Sequence, residues 1–200
     1  MSGKQQRRPH RFFRTLAVTL ASLALLGLNL IPSANAAAIR ANAGFTTTTF
    51  PGNDDGTFPG AQALGFTVNF FGLIFTSAFI NNNGNITFDA PLGTFTPFNL
   101  TATSRQIIAP FFADVDTSSA SSPVTFGTDS VDGRPAFGVN WVNVDYFESS
   151  AAHTNRNSFQ LVLIDRSDIA VGDFDIEFNL LGQIPRSLLR LLPLYPPLLA

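Results

Sequence analysis

The stretch "VTFGTDSVDGRPAFGVNWVNVDYF", positions 124–147, is two apolar-rich runs on either side of Asp132-Gly133. The second run carries Phe137, Val139 and Trp141 at alternate positions. That is the period at which a strand turns one face to a core. With the chain reversal near Asp132-Gly133, the stretch reads as a β-hairpin.

The same period recurs outward from it. In "GFTVNFFG" (65–72), Phe66, Val68 and Phe70 alternate with Thr67 and Asn69. "AFINNNGNITFD" (78–89) reads as a second hairpin, with Asn83-Gly84 supplying the positive φ angles of a tight primed turn. "SFQLVLID" (158–165) and "DFDIEFN" (173–179) form a third pair. In the latter Phe174, Ile176 and Phe178 point one way, and Asp173, Asp175 and Glu177 the other. The run from Ile107 to Val115 reads as a strand buried on both faces, with Pro110 marking an edge or a bulge. No stretch of 37–179 has the 3.6-residue stripe of an amphipathic helix. The expectation is an all-β fold, an antiparallel β-sandwich in a single domain.

Composition sets further bounds. Lys4, Arg7, Arg8, Arg11 and Arg14 precede an apolar stretch at 16–31, then Pro32 and the small-residue pattern Ala34-Asn35-Ala36. This reads as a secretory signal peptide over 1–36, cleaved near Ala36. The apolar stretch is shorter than the about 20 residues a bilayer span needs, so no membrane span is expected in the mature chain. All 14 acidic residues follow position 36, with seven arginines and no lysine, so the mature charge is 7 − 14 = −7. An acidic surface repels phosphate backbones, which argues against nucleic acid as a partner. There is no cysteine, so stability rests on the core, and 19 of the 21 phenylalanines lie between positions 45 and 178.

After Asn179 the chain changes character. "LLGQIPRSLLRLLPLYPPLLA" (180–200) has nine leucines, no acidic residue and prolines at 185, 193, 196 and 197. The prolines prevent a continuous helix or span. The segment reads as a loosely docked or disordered tail, or as the product of a truncation or a shifted reading frame.

Five stretches, taken in order, resemble the nidogen-like extracellular domain, and more closely the bacterial secreted proteins that carry it. They are "VNFFGLIFTSAFINNNGNITFDAP" (68–91), "RQIIAPFFADVDT" (105–117), "FGVNWVNVDYF" (137–147), "NSFQLVLIDRSD" (157–168) and "DFDIEFN" (173–179). The resemblance implies a module of cell–matrix adhesion whose partner is an extracellular matrix or surface polymer or protein. It implies no catalytic residue and no cofactor. In similar sequences the strand matching "DFDIEFN" runs on into a tyrosine and then a strand bearing tryptophan. The Leu/Pro tail stands in that place, so the resemblance implies a domain (37–179) lacking its last strands.

Within this frame few residues carry candidate chemistry. Asp114 and Asp116, one residue apart, would project to the same side of a strand and could supply part of a calcium shell. Asp54 with Asp55, and Asp129 with Asp132, are further oxygen-rich patches. None has the spacing of a calcium-binding hand. The preferred reading is a strand end whose short carboxylates accept turn amides.

His153 is the only histidine after the leader, and no nucleophile-elbow motif accompanies it. With no cysteine, an ordinary His/Cys zinc site is excluded, and His153 reads as a loop residue. Trp141 is expected in the core. Tyr146 and Phe147, near a strand end, could stack on a sugar ring or a partner, although packing is preferred for them too. Asn85-Ile86-Thr87 and Asn99-Leu100-Thr101 fit the glycosylation acceptor pattern.

The resulting expectation is a secreted, non-catalytic binding domain. One alternative is a carbohydrate-active β-sandwich enzyme, which needs two carboxyl groups about 5–5.5 or 6.5–9.5 Å apart across a groove. Glu148 and Glu177 are the chain's two glutamates. Another alternative is a remnant without independent function.

Overall fold

The computed structural model describes residues 39–118, 121–148, 153 and 156–181, all within the compact unit Ala36–Ala200. The expected leader lies outside the described residues, as does the tail beyond Leu181. Nine strands follow in chain order: β1 (Thr48–Phe50), β2 (Gln62–Phe70), β3 (Leu73–Asn81), β4 (Asn85–Thr87), β5 (Ile107–Ile108), β6 (Val124–Val131), β7 (Arg134–Val144), β8 (Asn157–Asp165) and β9 (Phe174–Leu181). Two short 3₁₀ turns, Ala43–Thr46 and Leu100–Ala102, accompany them. Every pairing is antiparallel. One sheet runs β1-β6-β7-β8-β9 and the other β2-β3-β4-β5. The fold is an all-β sandwich in a single domain. Among the described residues no helix is long and apolar enough to cross a membrane.

The hairpin read from sequence stands at the centre. Val131 and Arg134 pair across Asp132 (φ 50°) and Gly133 (φ 79°), the primed turn whose twist matches that of its strands. Phe137, Val139 and Trp141 are all buried between the sheets, together with Phe159, Leu161 and Leu163 of β8 and Val68, Ile80 and Ile86 of the facing sheet. Trp141 is fully buried. Its ring stacks on Phe159 at 5.1 Å and 12°, and its Nε1 donates to the Asn82 carbonyl at 2.9 Å. A buried indole thus finds the partner its N–H requires, and in doing so ties one sheet to the turn of the other.

Two expectations need correction. The strand expected over 107–115 ends at Ile108, where β5 pairs with β4 at the edge of the smaller sheet. Pro110 has no N–H to continue a ladder. Beyond it no continuous ladder follows, and the chain is held by side chains and by isolated backbone contacts such as Phe111 N to Gly84 O (3.4 Å) and the Asp54–Asp116 bridge. The second concerns the turn between β3 and β4. Asn81 pairs with Asn85, so the loop is three residues, Asn82 to Gly84, and of these only Gly84 (φ 72°) is left-handed. A Cβ on Gly84 would also run into the Phe111 carbonyl.

The outer face of the larger sheet is covered as well, which the sequence did not announce. The Arg40 amide donates to Gln160 Oε1 and the Arg40 carbonyl accepts from Gln160 Nε2, both at 3.0 Å. The 3₁₀ turn then sets Phe45, fully buried, among Val131, Ala136, Val162 and Ile164. Gly138 leaves the room: a Cβ there would strike the Phe45 ring. Because both its faces are covered, β8 is buried without interruption from Phe159 to Ile164.

Phe45→Ala is therefore expected to cost about 3–5 kcal/mol, and Gly138→Ala about 1–3 kcal/mol through overpacking. Urea denaturation checks both. Losses below about 0.5 kcal/mol in each, the range of ordinary surface substitutions, would mean that Phe45 does not cover this face.

Candidate functional site

The run Asn81-Asn82-Asn83-Gly84-Asn85 looks in sequence like an exposed polar turn, yet all four asparagines are at most 1% exposed. Buried amides are tolerated only when their donors and acceptors are paired, and here each has a partner. Asn81 Nδ2 donates to Asn85 Oδ1 (2.7 Å) and Thr87 Oγ1 (3.1 Å), while its Oδ1 accepts from Thr57 Oγ1 (2.8 Å). Asn82 Nδ2 donates to the carbonyls of Val115 and Asn53, and its Oδ1 accepts from Thr117 Oγ1 at 3.0 Å. Asn83 Oδ1 accepts from the Val115 amide at 2.9 Å, and its Nδ2 donates to Asp55 Oδ1 (2.7 Å) and the Thr94 carbonyl (3.2 Å). Three loops, around 53–57, 92–94 and 115–117, are thereby fastened to one turn.

This fastening assembles the acidic patches that the sequence presents separately. A bridge between Asp54 and Asp116 joins the first loop to the third, reinforced by Thr117 N to Asn53 O at 2.8 Å. Asp54, Asp55 and Asp114 each bring one carboxylate oxygen within 4.8 Å of the others. Asp116 is not a member of this group. Its Oδ1 accepts from the amide (2.7 Å) and hydroxyl (2.5 Å) of Ser118, the turn-amide role expected of a short acidic side chain. Asp114 and Asp116 are therefore not a pair on one strand face, since the chain is not a strand there. The grouping that could hold a cation is Asp54, Asp55 and Asp114.

The electrostatics follow from crowding. Desolvation first, then the charges of Asp55 and Asp116, push the Asp114 carboxyl above the usual carboxylate range. Desolvation, and then Asp55, Asp116 and Asp114, do the same to Asp54. Two large apolar residues are connected to the same loops through the backbone. The Phe147 amide donates to the Asp114 carbonyl at 3.2 Å, and Phe95 follows the Thr94 carbonyl held by Asn83. Their rings are 57% and 51% exposed. Phe147 was singled out in the sequence, but Phe95 was not, because it belongs to no strand pattern.

The other candidates are elsewhere. Asp129 is tied to the N-terminal segment: its carboxylate accepts from the amides of Ser130 (2.7 Å) and Gly44 (2.8 Å), which hold it below the usual range. Asp132 occupies the β6–β7 turn. His153 is engaged, with Nδ1 3.0 Å from Asp145 Oδ2 and its ring stacked near Tyr146 at 5.7 Å. Asp145 is 1% exposed and also contacts Arg156. Burial alone would raise its carboxyl, but the Tyr146 amide, His153 and Arg156 outweigh it and hold the group low. Glu177 is paired with Arg40 at 2.6 and 2.7 Å. Of the two glycosylation patterns, Asn85 is fully buried and Asn99 is exposed.

Asn82→Ala would leave the Val115 carbonyl and Thr117 hydroxyl buried with fewer partners, and is expected to cost on the order of 3 kcal/mol, read by chemical denaturation. The acidic residues should behave oppositely to one another. A carboxyl raised in the folded state contributes stability below its unfolded value, near 3.8, and loses it as pH rises through the folded value. At neutral pH Asp54 and Asp114 thus oppose folding, and Asp54→Asn should raise Tm at pH 7 with a gain that shrinks on acidification. Asp129, lowered, contributes above its unfolded value and loses this as pH falls. Asp129→Ala should lower Tm at pH 7, with a smaller effect in acid. Melting curves across pH would show whether the two variants diverge in this way.

A family model described as NIDO related matches residues 33–171. Alpha-tectorin of Mus musculus is 39% identical over 69 residues, which is 34% of this chain and 3% of that protein. Alpha-tectorin of Homo sapiens is 38% identical over 69 residues, again 34% of this chain and 3% of the relative. The chain therefore spans a small fraction of these relatives' length. No solved structure shows a significant match. The matched span contains β1 to β8 and every residue of the acidic group, and it covers well over half of the 200 residues: the chain belongs to the NIDO-related, nidogen-like family.

Proposed function

We propose that this chain is a secreted, non-catalytic binding module that acts in cell–matrix adhesion or holds an extracellular protein or polymer. Its contact surface is the group Asp54, Asp55 and Asp114 with the exposed rings of Phe95 and Phe147. Family membership supports an extracellular module. The observation that carries the choice of surface is that buried asparagines fasten three loops so as to gather three carboxylates, while exposed Phe147 is bonded through its amide to Asp114 and exposed Phe95 follows Thr94 in one of those loops. Crowded carboxylates gain from a partner's cationic groups, and exposed rings supply the apolar anchors on which binding energy concentrates. Export after cleavage near Ala36 belongs to the same proposal.

The carbohydrate-active alternative is not favoured at this surface. Asp54, Asp55 and Asp114 gather as one cluster, each with an oxygen within 4.8 Å of the others, whereas a hydrolase uses two carboxyl groups set apart on either side of the scissile bond. Glu177 is occupied by Arg40.

Purified protein is expected to bind an extracellular matrix preparation or surface polysaccharide, with Phe147→Ala and Phe95→Ala each weakening binding about tenfold or more, the loss typical of an interface anchor. Surface plasmon resonance would read this. Unchanged affinity in both variants, or hydrolysis of a polysaccharide that Asp114→Asn abolishes, would refute the proposal. Thermal melts with added calcium separate two ways of neutralising the acids. A rise in Tm lost in Asp114→Asn assigns a cation to the group, whereas a flat response leaves the carboxylates for a partner's basic side chains.

A further inference from the structure

From Gly56 to Phe88 the chain contains no charged residue. In the middle of this stretch Phe70 and Leu73 pair across a two-residue turn, with Phe71 at φ 51° and Gly72 at φ 87°. Two positive φ angles make this a primed turn, whose first position ordinarily goes to Asn, Asp or Gly. A bulky phenylalanine is out of place there on backbone grounds, and burial does not compensate, because Phe71 is 78% exposed. Leu73 and Ile74 follow at 50% and 60%. Successive strand residues face opposite ways, so the end of the β2–β3 hairpin is apolar and open to water on both faces.

The β8–β9 connection, from the other sheet, joins it there. Gly172 O accepts from the Asn69 amide at 2.8 Å, and a Cβ on Gly172 would come within 2.9 Å of the Asn69 Cβ. Beside that junction stand Ile169 and Val171, also exposed. Among the described residues, Val171 and Phe71 are the most exposed of the large apolar side chains, and the fold brings their loops together. β3 leads from this tip to the asparagine turn over nine residues, roughly 30 Å, so the tip and the acidic group occupy opposite ends of the sandwich.

We propose that this tip inserts into the surface of a zwitterionic lipid bilayer. Three features select lipid. Both segments are projecting turns, a shape suited to entering a fluid apolar medium. Backbone groups that enter lipid must be satisfied within the protein. Here the Gly72 amide donates to Asn69 Oδ1 at 2.8 Å, the Asn69 amide to Gly172 O, the Ile169 amide to Arg166 O at 2.8 Å and the Asp173 amide to Ala170 O at 3.0 Å. The third feature is charge. Clusters of basic side chains draw proteins to anionic lipid, whereas Arg134 and Arg166, which border this tip, are engaged by Asp168 and Asp175. A headgroup without net charge is the complement.

Trp141 is the chain's only tryptophan and is fully buried, so a second one reports its own surroundings. In the full chain, Phe71→Trp emission should shift to the blue on phosphatidylcholine vesicles. Brominated phosphatidylcholine should quench it at least about threefold more than Phe147→Trp at the far end. Val171→Asp added to Phe71→Trp should remove most of this quenching. Equal quenching at 71 and 147 would mean adsorption through another segment and overturns the proposal. Quenching at neither leaves the tip for an apolar pocket of a protein partner and also overturns it. So does a blue shift that grows with protein concentration without vesicles, alongside a dimeric mass in light scattering, which would assign the tip to a second copy. Phe71→Asn restores a residue the turn prefers and should leave Tm unchanged or higher. A clear fall in Tm would show that Phe71 serves the fold instead, against the proposal.

Discussion

The rest of this domain depends on the pairing of a few buried amides. Asn81, Asn82, Asn83 and Asn85 are removed from water, and an unpaired amide in that position costs several kcal/mol in an apolar setting, about 2–7 by transfer measurements. Asn85 is paired locally, with Asn81 and Asn83, whereas Asn81, Asn82 and Asn83 find all their partners only if the loops at 53–57, 92–94 and 115–117 come to the β3–β4 turn. The requirement works in both directions. The asparagines need those loops, and the loops, which have little ladder of their own, need the asparagines. Trp141 joins the arrangement through the Asn82 carbonyl, so the polar cluster is also bonded to the centre of the hydrophobic core.

Charge is used in two ways in this molecule. Asp129 and Asp145 are pinned by backbone amides, and Asp145 also by His153 and Arg156, and both are held low. They fasten segments that strand pairing does not reach. Asp54 and Asp114 are raised instead, first by desolvation and then by the neighbouring carboxylates. Phe95, next to Thr94, and Phe147, bonded through its amide to the Asp114 carbonyl, are both exposed.

The larger sheet is stabilised by coverage on two sides. Between the sheets the cover is Trp141, Phe159 and the aliphatic residues of β7 and β8. On the outer side it is the segment around Phe45, admitted by the bare backbone of Gly138. Towards β9 the coverage fails: Ile176 and Phe178 keep their apolar faces in solvent. Among the described residues the larger sheet ends at β9, with no strand paired to its outer edge.

Strand identity was legible from the residues alone. Alternation at Phe137, Val139 and Trp141, the reversal at Asp132-Gly133 and the absence of any helical stripe depend on neighbours in the chain, and local stereochemistry decides them. What was not legible depended on contacts between residues far apart in sequence. The asparagine run reads as solvent-exposed because its partners lie up to 35 positions away. The strand expected through Val115 stops at Ile108 because no neighbour supplies a ladder beyond Pro110. Asp114 was visible as a candidate, but its true companions were not, since only the loops drawn in by Asn82 and Asn83 bring Asp54 and Asp55 to it. Short-range periodicity thus determined which segments are strands and which side chains enter the core. The placement of the carboxylates was left to the tertiary structure, because burying an amide obliges distant polar groups to meet.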